Sequence, residues 1–250
     1  MEGTNCEYEA YNSFKTTGFA PQYVHITELK RGSVRLEDFS TLFIPGGFSA
    51  GDYIRAGVIF AHRLADASLS DMKKFSERGK PLIGVCNGFQ VLCEIGFLPG
   101  YDFSRQFALA LNDSNRYECR YTYVGIRSRN VLLEGLDNEK SYLVPVAHAE
   151  GKIIVDTVHG TLKHLEEESQ IVMKYTDSSG IEAGYPWNPN GSVENIAALS
   201  NPAGNVLGLM PHPERLYDLS LLSDKNMIKN PTLGRPFFEA LKRYVLSRSA

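Results

Sequence analysis

The chain has 250 residues, 43% of them hydrophobic and 22% charged, an ordinary balance for a globular protein long enough to bury a substantial α/β core. A net charge of −3 supplies no global attraction to nucleic acid or to membrane surfaces, and no apolar run is long enough to cross a bilayer. The opening residues, Met1-Glu2-Gly3-Thr4-Asn5-Cys6-Glu7, lack the basic region and apolar stretch of a secretory signal, so a cytoplasmic protein is expected.

In chain order, Pro21 to Ile26 reads as a short strand, and Ser40-Thr41-Leu42-Phe43-Ile44 as a clearer one ending at Pro45-Gly46-Gly47-Phe48. Apolar residues at Ile54, Val58, Ile59 and Leu64 predict a helix, and Leu69, Met72 and Phe75 a second one capped by Gly79. A strand over 81–85 runs into Gly84-Val85-Cys86-Asn87-Gly88, and Phe89 to Ile95 reads as a helix. Tyr117 to Val124 and Lys152 to Val155 are β-prone and suit antiparallel additions at a sheet edge. Gly180 to Ser192 is a Gly/Pro/Asn-rich loop with the single tryptophan, Trp187. Asn205 to Met210 reads as a buried strand, followed by Pro211-His212-Pro213-Glu214. Phe237, Phe238, Leu241, Tyr244 and Val245 share one face of a last helix, with Pro236 in its first turn. The pattern predicts one α/β domain over residues 1–250, with a flavodoxin-like, mostly parallel central sheet, helices on both faces and antiparallel extensions.

Strand, sharp turn and helix around Cys86 make a nucleophile elbow with Cys in the place usually held by Ser. Glycines flank the nucleophile because side chains there would collide, and the helix amides and dipole pointing at the sulfur favour thiolate. His212 and Glu214, two apart between stiffening prolines, supply a base and a carboxylate to orient it. The rival reading is a packed thiol at Cys86 and a packed turn at 211–214. Cys6, Cys86, Cys93 and Cys119 contain no CxxC pair and no Cys/His spacing for zinc, so free thiols and no metal site are expected, with Cys93 a packed core thiol.

The elbow, the Pro-Gly-Gly turn and the terminal His-Pro-Glu together resemble class I (triad-type) glutamine amidotransferases. Longer segments are similar to the glutaminase subunits of phosphoribosylformylglycinamidine synthases: Phe43 to Gly57, Gly84 to Gln90, Pro145 to Gly151, Asn188 to Ser192 and Gly208 to Arg215, in that order. In that family an apolar strand precedes the segment matching Gly3-Thr4-Asn5-Cys6, and here almost nothing precedes it, so the expectation is either that this strand is truncated or that the chain as given starts late. The resemblance implies that Cys86 attacks the side-chain amide of L-glutamine, that His212 moves the protons and that Glu214 holds the imidazole. It places oxyanion donors near Gly47 or Phe48 and at Asn87. Gln90, one turn beyond Cys86, is a candidate for the substrate amide, and His148 for a binding or structural role beside Glu150. Asp52 and Arg55 are read as site-lining or partner-contacting groups, or as a structural ion pair. The segment from Arg116 to Arg120 is read as a solvated strand or a docking surface. His25, His62, His159 and His164 are read as surface or packing residues.

The resemblance further implies that the chain carries no cofactor of its own. It has no Walker-A pattern. ATP and magnesium would belong to a large synthetase subunit that converts formylglycinamide ribonucleotide to formylglycinamidine ribonucleotide, with a small accessory subunit completing the complex. The rivals are a glutaminase subunit serving another acceptor, a stand-alone γ-glutamyl Cys hydrolase and a non-catalytic regulatory subunit.

Overall fold

The computed structural model describes residues 1–100, 107–155, 160–222 and 230–248; His159 and part of the polar stretch after Glu214 lie outside them. The helices are α1 (Glu7–Thr17), α2 (Ile26–Arg31), α3 (Val58–Glu77), α4 (Asn87–Glu94), α5 (Thr161–Glu167) and α6 (Gly234–Ser247). The strands are β1 (Leu42–Ile44), β2 (Leu82–Val85), β3 (Phe107–Leu111), β4 (Glu118–Ile126), β5 (Ser141–His148), β6 (Glu150–Val155), β7 (Ile171–Thr176), β8 (Ile196–Ser200) and β9 (Val206–Leu209).

Seven strands form the central sheet in the order β1-β2-β9-β8-β7-β4-β5, and β3 pairs with β6 in a separate ribbon. β1, β2 and β9 run parallel. From β9 outward every described pairing is antiparallel, so the expected antiparallel extensions are long: β8, β7, β4 and β5 all belong to them. Cys86 and His212 follow β2 and β9, at the carboxyl ends of these parallel strands. Both strands are fully buried, as strands covered on both faces must be.

The period-two alternation of β1 explains how both faces are covered. Phe43 points to one side, where its ring lies 5.5 Å from Phe14 of α1 and 6.5 Å from Phe238 of α6. Phe14 meets Phe238 edge-on at 5.1 Å, and full burial of such a ring is worth roughly 1.5–3 kcal/mol. Ile44 points to the other side, against α4. On α6, Phe237, Phe238 and Leu241 are buried, as the apolar spacing predicted.

Two local expectations change. The two helices expected between 54 and 79 are one, α3, because the buried stripe Phe60, Ala61, Leu64, Ser68, Met72 and Phe75 continues at helical spacing without a glycine or proline to interrupt it. Ile54 is exposed and outside it, cut off by Gly57 at φ +79°. The strand expected over 21–26 does not form. The His25 side chain instead accepts from the Thr27 amide, and Glu28 accepts from the His25 amide at 2.7 Å, a capping box that starts α2. No strand precedes α1 among the described residues; Thr4 makes an isolated antiparallel bridge to Gly47.

Candidate active site

The elbow is built by close backbone packing. A Cβ on Gly84 would stand 2.4 Å from the Gly88 carbonyl oxygen, and one on Gly88 would stand 2.0 Å from that of Ile44. Only bare glycines let α4 lie this close to β1 and β2. Cys86, between them, is held at φ 52° and ψ −108°, a conformation costly for a residue with a side chain. Its backbone is fixed on both sides: its amide donates to the Leu209 carbonyl at 2.8 Å, and its carbonyl accepts from the Gln90 amide at 3.1 Å.

β9 delivers the partner residues. Beyond its end, the His212 amide donates to the Pro145 carbonyl at 2.9 Å, which anchors the turn on β5. Within the turn, His212 Nδ1 and Glu214 Oε1 are 2.6 Å apart in a fully buried pair. The carboxylate fixes the tautomer that donates from Nδ1 and leaves Nε2 to act on a substrate. His212 Nε2 and Glu214 Oε2 are both buried without a hydrogen-bond partner. A Cβ on Gly46 would lie 2.8 Å from His212 Cε1 and 3.3 Å from both Cys86 Cβ and Cys6 Sγ. Nucleophile and imidazole therefore converge on the bare Cα of Gly46, from positions 126 residues apart in the chain.

Burial is the largest influence on the nucleophile's protonation. It pushes the Cys86 thiol well above the usual range; the Asn87 amide and Arg215 favour thiolate but do not outweigh it. Sequence reasoning missed Cys6 and Arg215. Burial and the Glu214 charge push the Cys6 thiol up to about 12, while Arg215 Nη2 approaches its sulfur to 2.9 Å. The only sequence signal for Cys6 is its place in the matched Gly3-Thr4-Asn5-Cys6 segment.

The oxyanion candidates separate. The Phe48 amide donates to the Gly3 carbonyl at 2.8 Å, so of the two expected donors at this turn it is the one already engaged. The bridge that takes it also ties the Asn5 amide to the Gly46 carbonyl and leaves the Gly47 amide out of both bonds. Asn87 donates its amide toward the Cys86 sulfur, and Ser49 Oγ donates to its side-chain oxygen at 2.5 Å. Gln90 is buried rather than solvated. Its Nε2 donates to the Glu150 carbonyl at 2.8 Å, and its Oε1 accepts from Asn87 Nδ2 at 3.0 Å.

His148 sits beside this group at the end of β5, with Nδ1 3.0 Å from Asn112 Oδ1 and Nε2 buried without a partner. Burial first, then His212 and Arg120, push its pKa down to about 3, so the folded protein holds it neutral. An unfolded histidine takes up a proton below pH ~6.5. The unfolded state thus binds more protons between pH ~6.5 and 3, and folding stability falls on acidification through that window, by at most about 1.4 kcal/mol per pH unit from this group. His148→Asn is expected to flatten that slope in urea unfolding measured from pH 7 to 5. A slope identical to the parent's would show that His148 does not carry it.

Arg55 is taken up by an ion pair with Glu94, and Asp52 lies 3.4 Å from Asn87 Nδ2. The Asn188–Ser192 loop is knitted to the site's floor: Asn190 Nδ2 donates to the Gly151 carbonyl, and Ser192 Oγ accepts from the Ile153 amide. Arg120 pairs with Glu118 at 2.9 Å and stacks on Tyr185. Cys93 is a core thiol, His25 and His62 are exposed, and His164 is half-buried on α5. A separate cavity of about 210 Å³, lined by Arg35, Glu37, Lys74 and Arg78 among others, lies toward the opposite ends of β1 and β2 and holds no nucleophile–base pair.

A strained cysteine elbow facing a His–Glu pair across a glycine turn is the arrangement of groups that triad-type thiol amidohydrolysis requires. The chain belongs to the CobB/CobQ-like glutamine amidotransferase domain family, whose sequence profile it matches over residues 1–245. It is 50% identical over 241 residues to the phosphoribosylformylglycinamidine synthase subunit PurQ of Picrophilus torridus, covering 96% of this chain and 94% of the relative. It is 44% identical over 231 residues to the PurQ subunit of Archaeoglobus fulgidus, covering 87% and 85%. Among solved structures, a chain of PurLQS from Thermotoga maritima superimposes with a TM-score of 0.72 at 29% identity, covering 97% of this chain and 94% of that one. No helix among the described residues is long and apolar enough to cross a membrane.

Proposed function

We infer that this chain is the glutaminase subunit of a phosphoribosylformylglycinamidine synthase. The carrying observation is the His212–Glu214 pair meeting Cys86 at Gly46, in a chain half-identical over nearly its whole length to a PurQ subunit. L-glutamine binds with its side-chain amide carbon at the Cys86 sulfur. His212 Nε2 takes the thiol proton as the sulfur attacks, then gives it to the departing nitrogen, so that ammonia leaves and a γ-glutamyl thioester remains. Water, deprotonated by the same nitrogen, cleaves the thioester to glutamate and restores the thiol. Glu214 stabilises the imidazolium in each half. The Gly47 and Asn87 amides bind the tetrahedral oxyanion.

The elevated Cys86 pKa fits a site that is poorly active in the isolated chain and completed by docking. The large synthetase subunit holds ATP and magnesium and consumes the ammonia; a small accessory subunit completes the assembly, in the cytoplasm. The test is conversion of formylglycinamide ribonucleotide by that synthetase, with glutamine, in the presence and absence of this chain. Conversion that needs the chain supports the reading. A synthetase that works with free ammonia but gains nothing from the chain plus glutamine refutes it and points to another acceptor. Rapid turnover of γ-glutamyl peptides without a partner would instead favour a stand-alone hydrolase.

Gln90 holds the Glu150 carbonyl and the Asn87 side chain at the substrate's expected edge. Gln90→Ala is expected to raise the glutamine KM about tenfold with a smaller change in kcat, the cost of roughly one lost hydrogen bond. An unchanged KM would remove Gln90 from the glutamine site.

A further inference from the structure

Cys6 is a buried nucleophile that glutamine hydrolysis leaves unused. Its Sγ, an imidazole nitrogen of His212 and a carboxylate oxygen of Glu214 all lie within 4.8 Å of one another, and all three residues are buried. Two of these side chains keep polar atoms without hydrogen-bond partners, His212 Nε2 and Glu214 Oε2. The donor set is one thiol sulfur, one imidazole and one carboxylate. That mixture suits a borderline-soft divalent cation that accepts four-coordinate geometry and an open fourth position, and it disfavours magnesium or calcium, which take oxygen ligands. A tetrahedral zinc brings sulfur and nitrogen ligands to roughly 3.5 Å of each other, so the three side chains need to close by about an ångström.

We propose that Cys6, His212 and Glu214 form an inhibitory site for a single thiophilic divalent cation of the zinc class. Binding releases the Cys6 proton and gives the thiolate a new counter-charge in place of Arg215, whose Nη2 lies 2.9 Å from the sulfur. Competition with that guanidinium makes occupancy reversible. A bound cation occupies the imidazole and the carboxylate together, so proton transfer at Cys86 stops. The inhibitory consequence rests on the hydrolase reading above; the site itself does not.

The test uses the full chain with Cys86→Ala, which removes the catalytic thiol and leaves the three ligands intact. Titration with Co²⁺ is expected to give one equivalent of a thiolate-to-cobalt charge-transfer band that Zn²⁺ displaces and that disappears in Cys86→Ala/Cys6→Ser. Absence of the band, or its survival with Cys6→Ser, overturns the proposal. If the double variant does not fold, alkylation of Cys6 in the Cys86→Ala chain is read by mass spectrometry instead: Zn²⁺ should slow it at least tenfold, and an unchanged rate overturns the site. In the assembled complex with Cys86 intact, Zn²⁺ should inhibit glutamine hydrolysis reversibly on chelation, and Cys6→Ser should raise the required concentration at least tenfold. Equal inhibition in both proteins would place the cation elsewhere and refute the inhibitory role. A cobalt band in a chain that never hydrolyses glutamine would refute the hydrolase reading alone.

Discussion

Cys86→Ala is expected to reduce glutamine-dependent turnover by about 10⁴-fold or more, while the synthetase continues to use free ammonia. Removing the nucleophile of a covalent mechanism leaves only binding and oxyanion stabilisation, and members of such a unit fail together rather than additively. The substitution is mild structurally. The Cys86 sulfur makes a long contact, 3.8 Å, to the Ala147 carbonyl and faces the Asn87 amide, whereas the turn is held by backbone bonds to Leu209 and Gln90 that alanine keeps. Folding, assembly and ammonia-dependent synthesis therefore serve as internal controls. The comparison is made in the assembled complex, with glutamine and then ammonium as nitrogen source. Glutamine-dependent synthesis within tenfold of the parent would end the thioester mechanism. A loss of ammonia-dependent synthesis as large as the glutamine loss would mean that the variant damages assembly instead.

Gly88→Ala should destabilise the protein by about 3 kcal/mol or more, enough to lower Tm by many degrees or to prevent folding. The added methyl would lie 2.0 Å from the Ile44 carbonyl oxygen, in the backbone of β1, while position 88 itself is fixed inside α4. Neither side is a flexible side-chain end that can step away. Relief requires α4 to lift from β1, which would also displace Cys86 and Asn87 from Gly46 and Gly47. The contrast is Gly32→Ala, where no atom lies within 4 Å and the only cost is the left-handed φ of +69°, about 1 kcal/mol. Thermal unfolding of the two variants side by side separates steric from conformational cost. Equal losses at the two positions would contradict the close-packing account of the elbow.

Much of the site is legible from short-range pattern because short-range physics dictates it. A buried apolar run, a glycine-flanked cysteine and a helical stretch leave few conformations other than the elbow. Pro211-His212-Pro213-Glu214 likewise puts imidazole and carboxylate on one stiff turn, where they meet at 2.6 Å. The apolar face of α6 and the buried strands β2 and β9 follow from periodicity in the same way. Where local signals compete, pattern misleads: the segment at 21–26 joins no strand among the described residues, and the capping bonds of His25 and Glu28 start α2 there instead.

What depends on through-space neighbours was decided only by folding. Spacing named the Gly46-Gly47-Phe48 turn but not which amide stays available; the bridge from Gly3 and Thr4 engages Phe48 and spares Gly47. Sequence placed a helix N-terminus at Cys86, but the depth of burial that pushes its thiol up is set by neighbours from distant parts of the chain. The cysteine and histidine spacings contain no metal motif, yet tertiary packing carries Cys6 to His212 and Glu214 across more than 200 residues. Hydrogen-bond and side-chain periodicities act over a few residues and leave their mark in sequence. Desolvation and donor clustering act over ångströms between distant segments, and no spacing along the chain encodes them.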